Sequence, residues 1–236
     1  PARALSARDA QEGERYLRSK QLPDGSVASW EFSDEGTLDG TAFWYSGMLS
    51  AGVSDTDPAM TRARLAMEAR GGMNSANPIT KICLVIAGAL PASDLPSVPL
   101  GLDLIPGSED FLARFFGVNT LMPIHTMGPL IWALKRSSRP PSPWTEPVAY
   151  FAAQKSIEYL TARQDESGSW IGVTFITLLG ACALAGLGVS RDDTRIRRAL
   201  QHVASVKSYN RDGQVGLYVA PFESTLWDTA QWVRAL

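Results

Sequence analysis

Two related stretches decide the fold of this chain. Residues 155–170 are KSIEYLTARQDESGSW, and residues 12–27 are EGERYLRSKQLPDGSV. Both contain Tyr-Leu, three further residues, Gln, a short turn and Gly-Ser. A glutamine amide at the end of one helix can reach free backbone groups at the start of the next, and glycine permits the tight turn between them. The pattern predicts a repeated helix–turn–helix staple, with copies near residues 13–30 and 155–170.

The two copies differ at the position that follows Gly-Ser. The second copy has Trp170 there, and we expect its indole to cover Gln164 and to shield its hydrogen bonds from water. The first copy has Val27 at that position, with Trp30 three residues later. The residues expected to form the staples are Gln21, Gly25, Gln164, Gly168 and Trp170.

The composition excludes several classes of protein. The chain has 236 residues, 45% of them hydrophobic and 19% charged, with a net charge of −2. A disordered chain would be poorer in apolar residues, and a nucleic-acid-binding protein would carry a basic excess. Two cysteines cannot form a disulfide framework. Because the first residues also lack the apolar core of a signal peptide, we expect a cytoplasmic protein.

The hydrophobic periodicity is helical along most of the chain. We predict helices over residues 3–20, 38–53, 57–70, 77–90, 108–116, 126–136, 147–164, 173–187, 191–208 and 226–236, and a strand at 214–220.

These predicted helices are of two kinds. Residues 57–70 and 191–208 have an apolar stripe and a charged face. Four other segments carry no charge and must be surrounded by protein: 41–53, 82–90, 121–134 and 173–187. Their alternation predicts two concentric layers of helices, and therefore an all-α protein with one α/α (toroid) barrel over residues 1–236.

The staple pattern is similar to the QW motif of the squalene–hopene and oxidosqualene cyclases, which are class II terpene cyclases. Three further segments resemble that family in the family's order: LDGTA at residues 38–42, GGMNS at 71–75 and TLWDTA at 225–230. The resemblance covers almost the whole chain. It implies the α/α barrel shared by terpenoid cyclases and protein prenyltransferases, and it is to the first barrel of a two-barrel cyclase, the one without the catalytic acid.

The resemblance also implies where the chemistry would lie. In the family, a protonated acid in an Asp-x-Asp-Asp motif of the second barrel starts cyclisation by protonating an alkene. This chain has no such motif. Its nearest string is SRDDT at residues 190–194, whose position predicts a helix N-cap, and we expect the same role for Asp55 and Asp57. Trp227 and Asp228 match a family segment that faces the substrate cavity, and packing at the barrel seam is the alternative role.

We expect no metal and no cofactor. His125 and His202 lack a Cys or Asp partner at metal-ligand spacing, and we place His202 on the wet face of its helix. Cys83 and Cys182 lie in charge-free segments and are expected to be inert buried thiols.

Contact with a membrane is left open by the sequence. Residues 170–190 carry no charge, but their four glycines and turn-like flanks favour a buried helix over a spanning one. The family's membrane-dipping insert would lie where this chain has only SSRPPSPWTE, at residues 137–146. We therefore expect at most a peripheral association.

Two functions remain open at this point. The first is protonation-initiated polyene cyclisation, with the acid supplied by a second α/α barrel on a further part of the chain or on a partner, a homo-oligomer included. The second is a non-catalytic barrel that binds an isoprenoid or another lipid. A single-barrel enzyme with a relocated acid is a third, weaker reading.

Overall fold

The computed structural model describes residues 6–29, 33–96, 121–136, 146–209 and 217–219. Helices dominate these ranges: α1 (Ala7–Ser19), α2 (Leu38–Ala51), α3 (Pro58–Glu68), α4 (Pro78–Ile86), α5 (Leu121–Arg136), α6 (Glu146–Arg163), α7 (Thr174–Gly186) and α8 (Thr194–Ser205). Short 3-10 turns lie at Met73–Ser75 and Ala92–Asp94, and strands β1 (Lys207–Tyr209) and β2 (Leu217–Val219) pair with each other. The all-α fold class is confirmed.

Side-chain caps fix where several helices begin. Ser6 and Asp9 form a reciprocal capping box at the start of α1. Asp57 and Asn77 cap α3 and α4, and each is followed by a proline in the first turn. Asp193 caps α8 by accepting from the backbone N–H of Arg195. These caps satisfy donors that a helix start otherwise leaves free.

The chain divides into two compact units. The first consists of Pro1–Ser97, Leu134–Arg139 and Ser208–Tyr218. In it, α2 packs against α1, α3 and α4 around a core that includes Trp44, Met48, Met60 and Met67.

The second unit consists of Val98–Ala133, Pro140–Lys207 and Val219–Leu236. Here α7 packs against α8. Its buried side chains include Leu160, Trp170, Leu184 and Ile196. The prediction of one domain over residues 1–236 stays a prediction.

Some predicted boundaries differ from the observed ones. The helix predicted over residues 191–208 ends at Ser205, because β1 begins at Lys207. The helix predicted from residue 126 begins at Leu121 and continues through Pro129. Strand β2 lies within the predicted 214–220 segment. The helices predicted at 108–116 and 226–236 lie outside the described residues.

Two predicted exposures are wrong. His202 is buried, because it lies one turn after the buried Ala199 and so shares the inner face of α8. Cys182 is exposed, although its neighbours Ala181 and Ala183 are buried.

Candidate functional site

The first staple joins the end of α1 to the start of α3. Gln21 follows α1, and its Nε2 donates to the carbonyl of Gly25 at 3.0 Å and to that of Ala59 at 2.8 Å. Ala59 lies in the first turn of α3. One side-chain amide thus closes the turn after α1 and fixes that turn against α3.

The second staple repeats this arrangement. Nε2 of Gln164 donates to the carbonyl of Gly168 at 2.9 Å and to that of Arg195 at 2.8 Å. Arg195 lies in the first turn of α8. In each staple one acceptor therefore lies in the turn, and the other belongs to the second helix along the chain, α3 or α8. The sequence pattern predicts an acceptor at the start of the next helix, α2 or α7, and that prediction is wrong.

Glycine is required at both turns. Gly25 and Gly168 have φ values of +85° and +93°, in the left-handed region that favours glycine. A Cβ on Gly25 would lie 2.7 Å from the carbonyl oxygen of Arg62, and one on Gly168 would lie 2.4 Å from that of Arg198. Each turn therefore approaches the backbone of its helix more closely than any side chain would allow.

A threonine pair also serves both staples and was missed from the sequence. Oγ1 of Thr41 accepts from the backbone N–H of Val27 at 2.9 Å, and Oγ1 of Thr177 accepts from that of Trp170 at 3.1 Å. Each hydroxyl then donates to the carbonyl four residues before it, which belongs to the N-cap residue of its helix. The spacing hid this signal: 14 residues separate Val27 from Thr41, whereas 7 separate Trp170 from Thr177.

Trp170 is fully buried at the second staple. Its Nε1 donates to the carbonyl of Leu160 at 2.8 Å, and its ring lies against Gly180 of α7. The other two predicted site residues, Trp227 and Asp228, lie outside the described residues.

The carboxylates predicted to cap helices have structural partners. Asp57 caps α3 and also forms an ion pair with Arg18 at 2.9 Å. Asp193 caps α8 and pairs with Arg195 at 2.8 Å. Asp55, by contrast, caps no helix: it accepts from the hydroxyl of Tyr45 and pairs with Arg64 at 3.1 Å, which corrects the predicted role.

The pKa values of three carboxyls are shifted in the direction opposite to that expected of a proton donor. Arg195 lowers the pKa of Asp193 to about 2, and Arg18 lowers the pKa of Asp57. Hydrogen bonds from Ser26 and the pair with Arg70 lower the pKa of Asp24 to about 2. These three carboxyls are ionised at neutral pH, whereas an acid that protonates an alkene must hold its proton.

Neither a metal centre nor a membrane-spanning helix is found in the described residues. Within those ranges, no three His, Cys, Asp or Glu side chains come together as metal ligands would. None of the helices in the same ranges is long and apolar enough to span a bilayer.

The chain has the repeated staple, and its sequence also matches a known family. Residues 2–115 match the model of the squalene–hopene cyclase N-terminal domain. The chain is similar to the squalene–hopene cyclases. The similarity extends well beyond the matched residues: 94% of the chain aligns with dammaradiene synthase of Dryopteris crassirhizoma at 24% identity, and 91% aligns with sporulenol synthase of Bacillus subtilis at 26%. A shorter segment, 39% of the chain, is 37% identical to squalene–hopene cyclase of Zymomonas mobilis.

The relatives of the squalene–hopene cyclase family that match most of this chain are much longer than it is. The chain spans 38% of the length of dammaradiene synthase and 40% of that of sporulenol synthase. The activities of the whole relatives are therefore properties of proteins that contain more than the part matched here.

Proposed function

We propose that this chain supplies the acid-free barrel of a class II terpene cyclase, which cyclises a polyene once an acid-bearing second barrel is present. The observation that carries the proposal is the match over 91–97% of the chain to cyclases and synthases of this family. The chain would contribute one wall of the substrate site and the second barrel would contribute the proton donor. The substrate would be an isoprenoid, and the protein would act in the cytoplasm or at a membrane surface.

The electrostatics of the described carboxylates support this division of labour. Asp24, Asp57 and Asp193 have lowered pKa values and are committed to caps and ion pairs. An acid strong enough toward carbon must instead be kept protonated until the alkene arrives. Under this proposal the chain alone binds a polyene but does not start its cyclisation.

An exposed apolar strip on α6 supports a protein partner. Val148, Tyr150 and Phe151 are each more than half exposed. The internal repeat provides a comparison, because Ala7 and Arg8 of α1 occupy the positions that correspond to Tyr150 and Phe151. These two positions therefore carry a small and a charged residue on α1, but two aromatic residues on α6. Exposed aromatic groups of this kind mark contact surfaces.

The test combines the chain with an acid. The purified chain is first incubated with squalene alone. The chain is then co-expressed with the part of sporulenol synthase that it does not match, and the purified pair is incubated with squalene in the same way. Cyclic products are sought by mass spectrometry. We expect no product from the chain alone and cyclic product from the pair. A double variant, Tyr150→Ser with Phe151→Ser, should reduce the product and leave the melting temperature unchanged.

Two outcomes would contradict the proposal. Cyclic product from the chain alone would mean that it carries its own acid. No product from the pair, together with an isoprenoid or another lipid co-purifying with the chain, would favour the alternative of a non-catalytic lipid-binding barrel.

A further inference from the structure

The two staples can be aligned residue by residue through their hydrogen bonds. Gln21 corresponds to Gln164, and Leu17 corresponds to Leu160, four residues before each glutamine. Beyond the turn, Thr41 corresponds to Thr177, because each accepts from the residue that follows Gly-Ser. The first copy simply has a longer connection between these two points.

Val27 corresponds to Trp170 in the sequence repeat, and each donates its backbone N–H to the threonine. Beyond the turn, the alignment pairs residues that no ungapped comparison brings together. Trp44 lies three residues after Thr41, and Gly180 lies three residues after Thr177. The first staple therefore has Val on the turn and Trp on the helix, whereas the second has Trp on the turn and Gly on the helix.

The two indoles make the same hydrogen bond. Trp170 donates from Nε1 to the carbonyl of Leu160 at 2.8 Å, and Trp44 donates from Nε1 to the carbonyl of Leu17 at 2.6 Å. Those carbonyls are at corresponding positions near the ends of α6 and α1. Trp44 and Trp170 are also both buried.

Space in the second staple allows only one large side chain. A Cβ added to Gly180 would lie 2.8 Å from the ring of Trp170, closer than Cβ atoms approach other groups in real proteins. An indole on the turn thus requires the absence of a side chain on the helix. In the first staple the large side chain, Trp44, lies on the helix, and the smaller side chain, Val27, lies on the turn.

We propose that Trp44 is the tryptophan of the first staple, supplied from α2 because Val27 stands where the turn would otherwise supply it. The staple is then complete in space although its sequence motif is not. Trp44 closes the fold in this way whichever function the chain performs.

The test is an exchange of the two side chains. Trp44→Gly leaves a cavity and Val27→Trp overfills the site, so we expect each to lower the melting temperature by about 10 °C. The double variant restores one indole to one site and should recover most of the loss, remaining about 3 °C low because of the glycine within α2. A matched control combines Val27→Trp with Met67→Gly, a comparable cavity elsewhere in the same core, and should show additive losses. A double variant as unstable as the sum of its singles would overturn the proposal.

If those variants fail to fold, a second double-mutant cycle, with smaller substitutions in the second staple, tests the same exclusion. Gly180→Ala should lower the melting temperature when Trp170 is present and should not lower it in a Trp170→Val background, where the ring is gone. The control is Gly13→Ala in α1, where an added Cβ meets nothing within 4 Å, and it should behave alike in both backgrounds. Equal losses from Gly180→Ala in the two backgrounds would contradict the one-indole exclusion.

Discussion

Gln21 and Gln164 use their amide nitrogens alike, but the surroundings of their oxygens differ. Oε1 of Gln21 accepts from the guanidinium of Arg62 at 2.9 Å. Both nitrogens face two carbonyl oxygens, and a carboxylate in the same place would repel them. The difference predicts that the two staples respond unequally to the same substitution.

We expect Gln164→Glu to destabilise the protein by about 2–3 kcal/mol at pH 7, since it replaces a donor by an anion facing two acceptors. Gln21→Glu should cost less, because Arg62 remains to pair with the carboxylate. Urea unfolding measures both losses. The carbonyls raise the pKa of the new carboxyl above its unfolded value, so the cost should shrink as the pH falls through that raised pKa. Gln201→Glu, on the exposed face of α8, is the control, and a cost for Gln164→Glu no larger than that of the control would contradict the prediction.

The sequence indicated which residues form the staples but not what they bond to. Gln, Gly and Gly-Ser repeat at fixed spacing, so the pattern is visible by eye. The carbonyl of Ala59 is 38 residues from Gln21, and nothing local marks it as the acceptor. Trp44 was overlooked for the same reason, because its equivalence to Trp170 emerges only through the threonine bonds.

At the scale of elements, the ion pair between Arg18 and Asp57 ties α1 to the start of α3. Arg18 also pairs with Glu14 in its own helix at 2.8 Å. Asp193 reaches another helix only indirectly: its partner Arg195 belongs to the helix that it caps, and Arg195 in turn donates to Oγ1 of Thr161 in α6 at 2.7 Å. The two caps therefore differ in whether the carboxylate itself contacts the other helix.

Asp57→Asn keeps a cap acceptor and removes the charge. We expect a loss of up to about 1 kcal/mol at pH 7, which is typical of a partly exposed ion pair. The folded pKa of Asp57 is lowered, so the stabilisation is fully present above the unfolded pKa and is lost as the pH falls through the folded one. The difference from the wild type in urea unfolding should accordingly vanish in acid. Asp192→Asn, an exposed neighbour of the other cap, should have no effect, and a difference for Asp57→Asn that persists in acid would count against the ion pair.

Helix prediction succeeded where capping and periodicity agree. Asp57, Asn77 and Asp193 each precede a helix and cap it as their residue types predict. Prediction failed where residue type and position conflict. His202 is titratable and was expected in water, yet its spacing from Ala199 places it on the buried face. Asp55 resembles a cap in sequence but is bound by Tyr45 of α2 and Arg64 of α3.

At the scale of the whole molecule, each compact unit contains one staple. Gln21 and Gly25 lie in the first unit, and Gln164 and Gly168 lie in the second. The division passes through α5, whose residues up to Ala133 are assigned to the second unit and whose remainder is assigned to the first. The division therefore falls within a helix, and the single domain that the alternation of helices predicts stays a prediction.

Glycine variants in the two staples can decide between one domain and two. Gly25→Ala and Gly168→Ala each force a left-handed alanine against a helix carbonyl, and we expect a loss of about 3 kcal/mol or more from each. Gly52→Ala and Gly188→Ala are matched controls with φ values of +96° and +91° and open space around the added Cβ, and each should cost only about 1 kcal/mol. If the chain is one cooperative domain, calorimetry will show a single transition that moves to lower temperature as a whole in either staple variant. Two transitions, of which Gly25→Ala moves one and Gly168→Ala the other, would show that each staple closes its own unit and that the single-domain prediction is wrong.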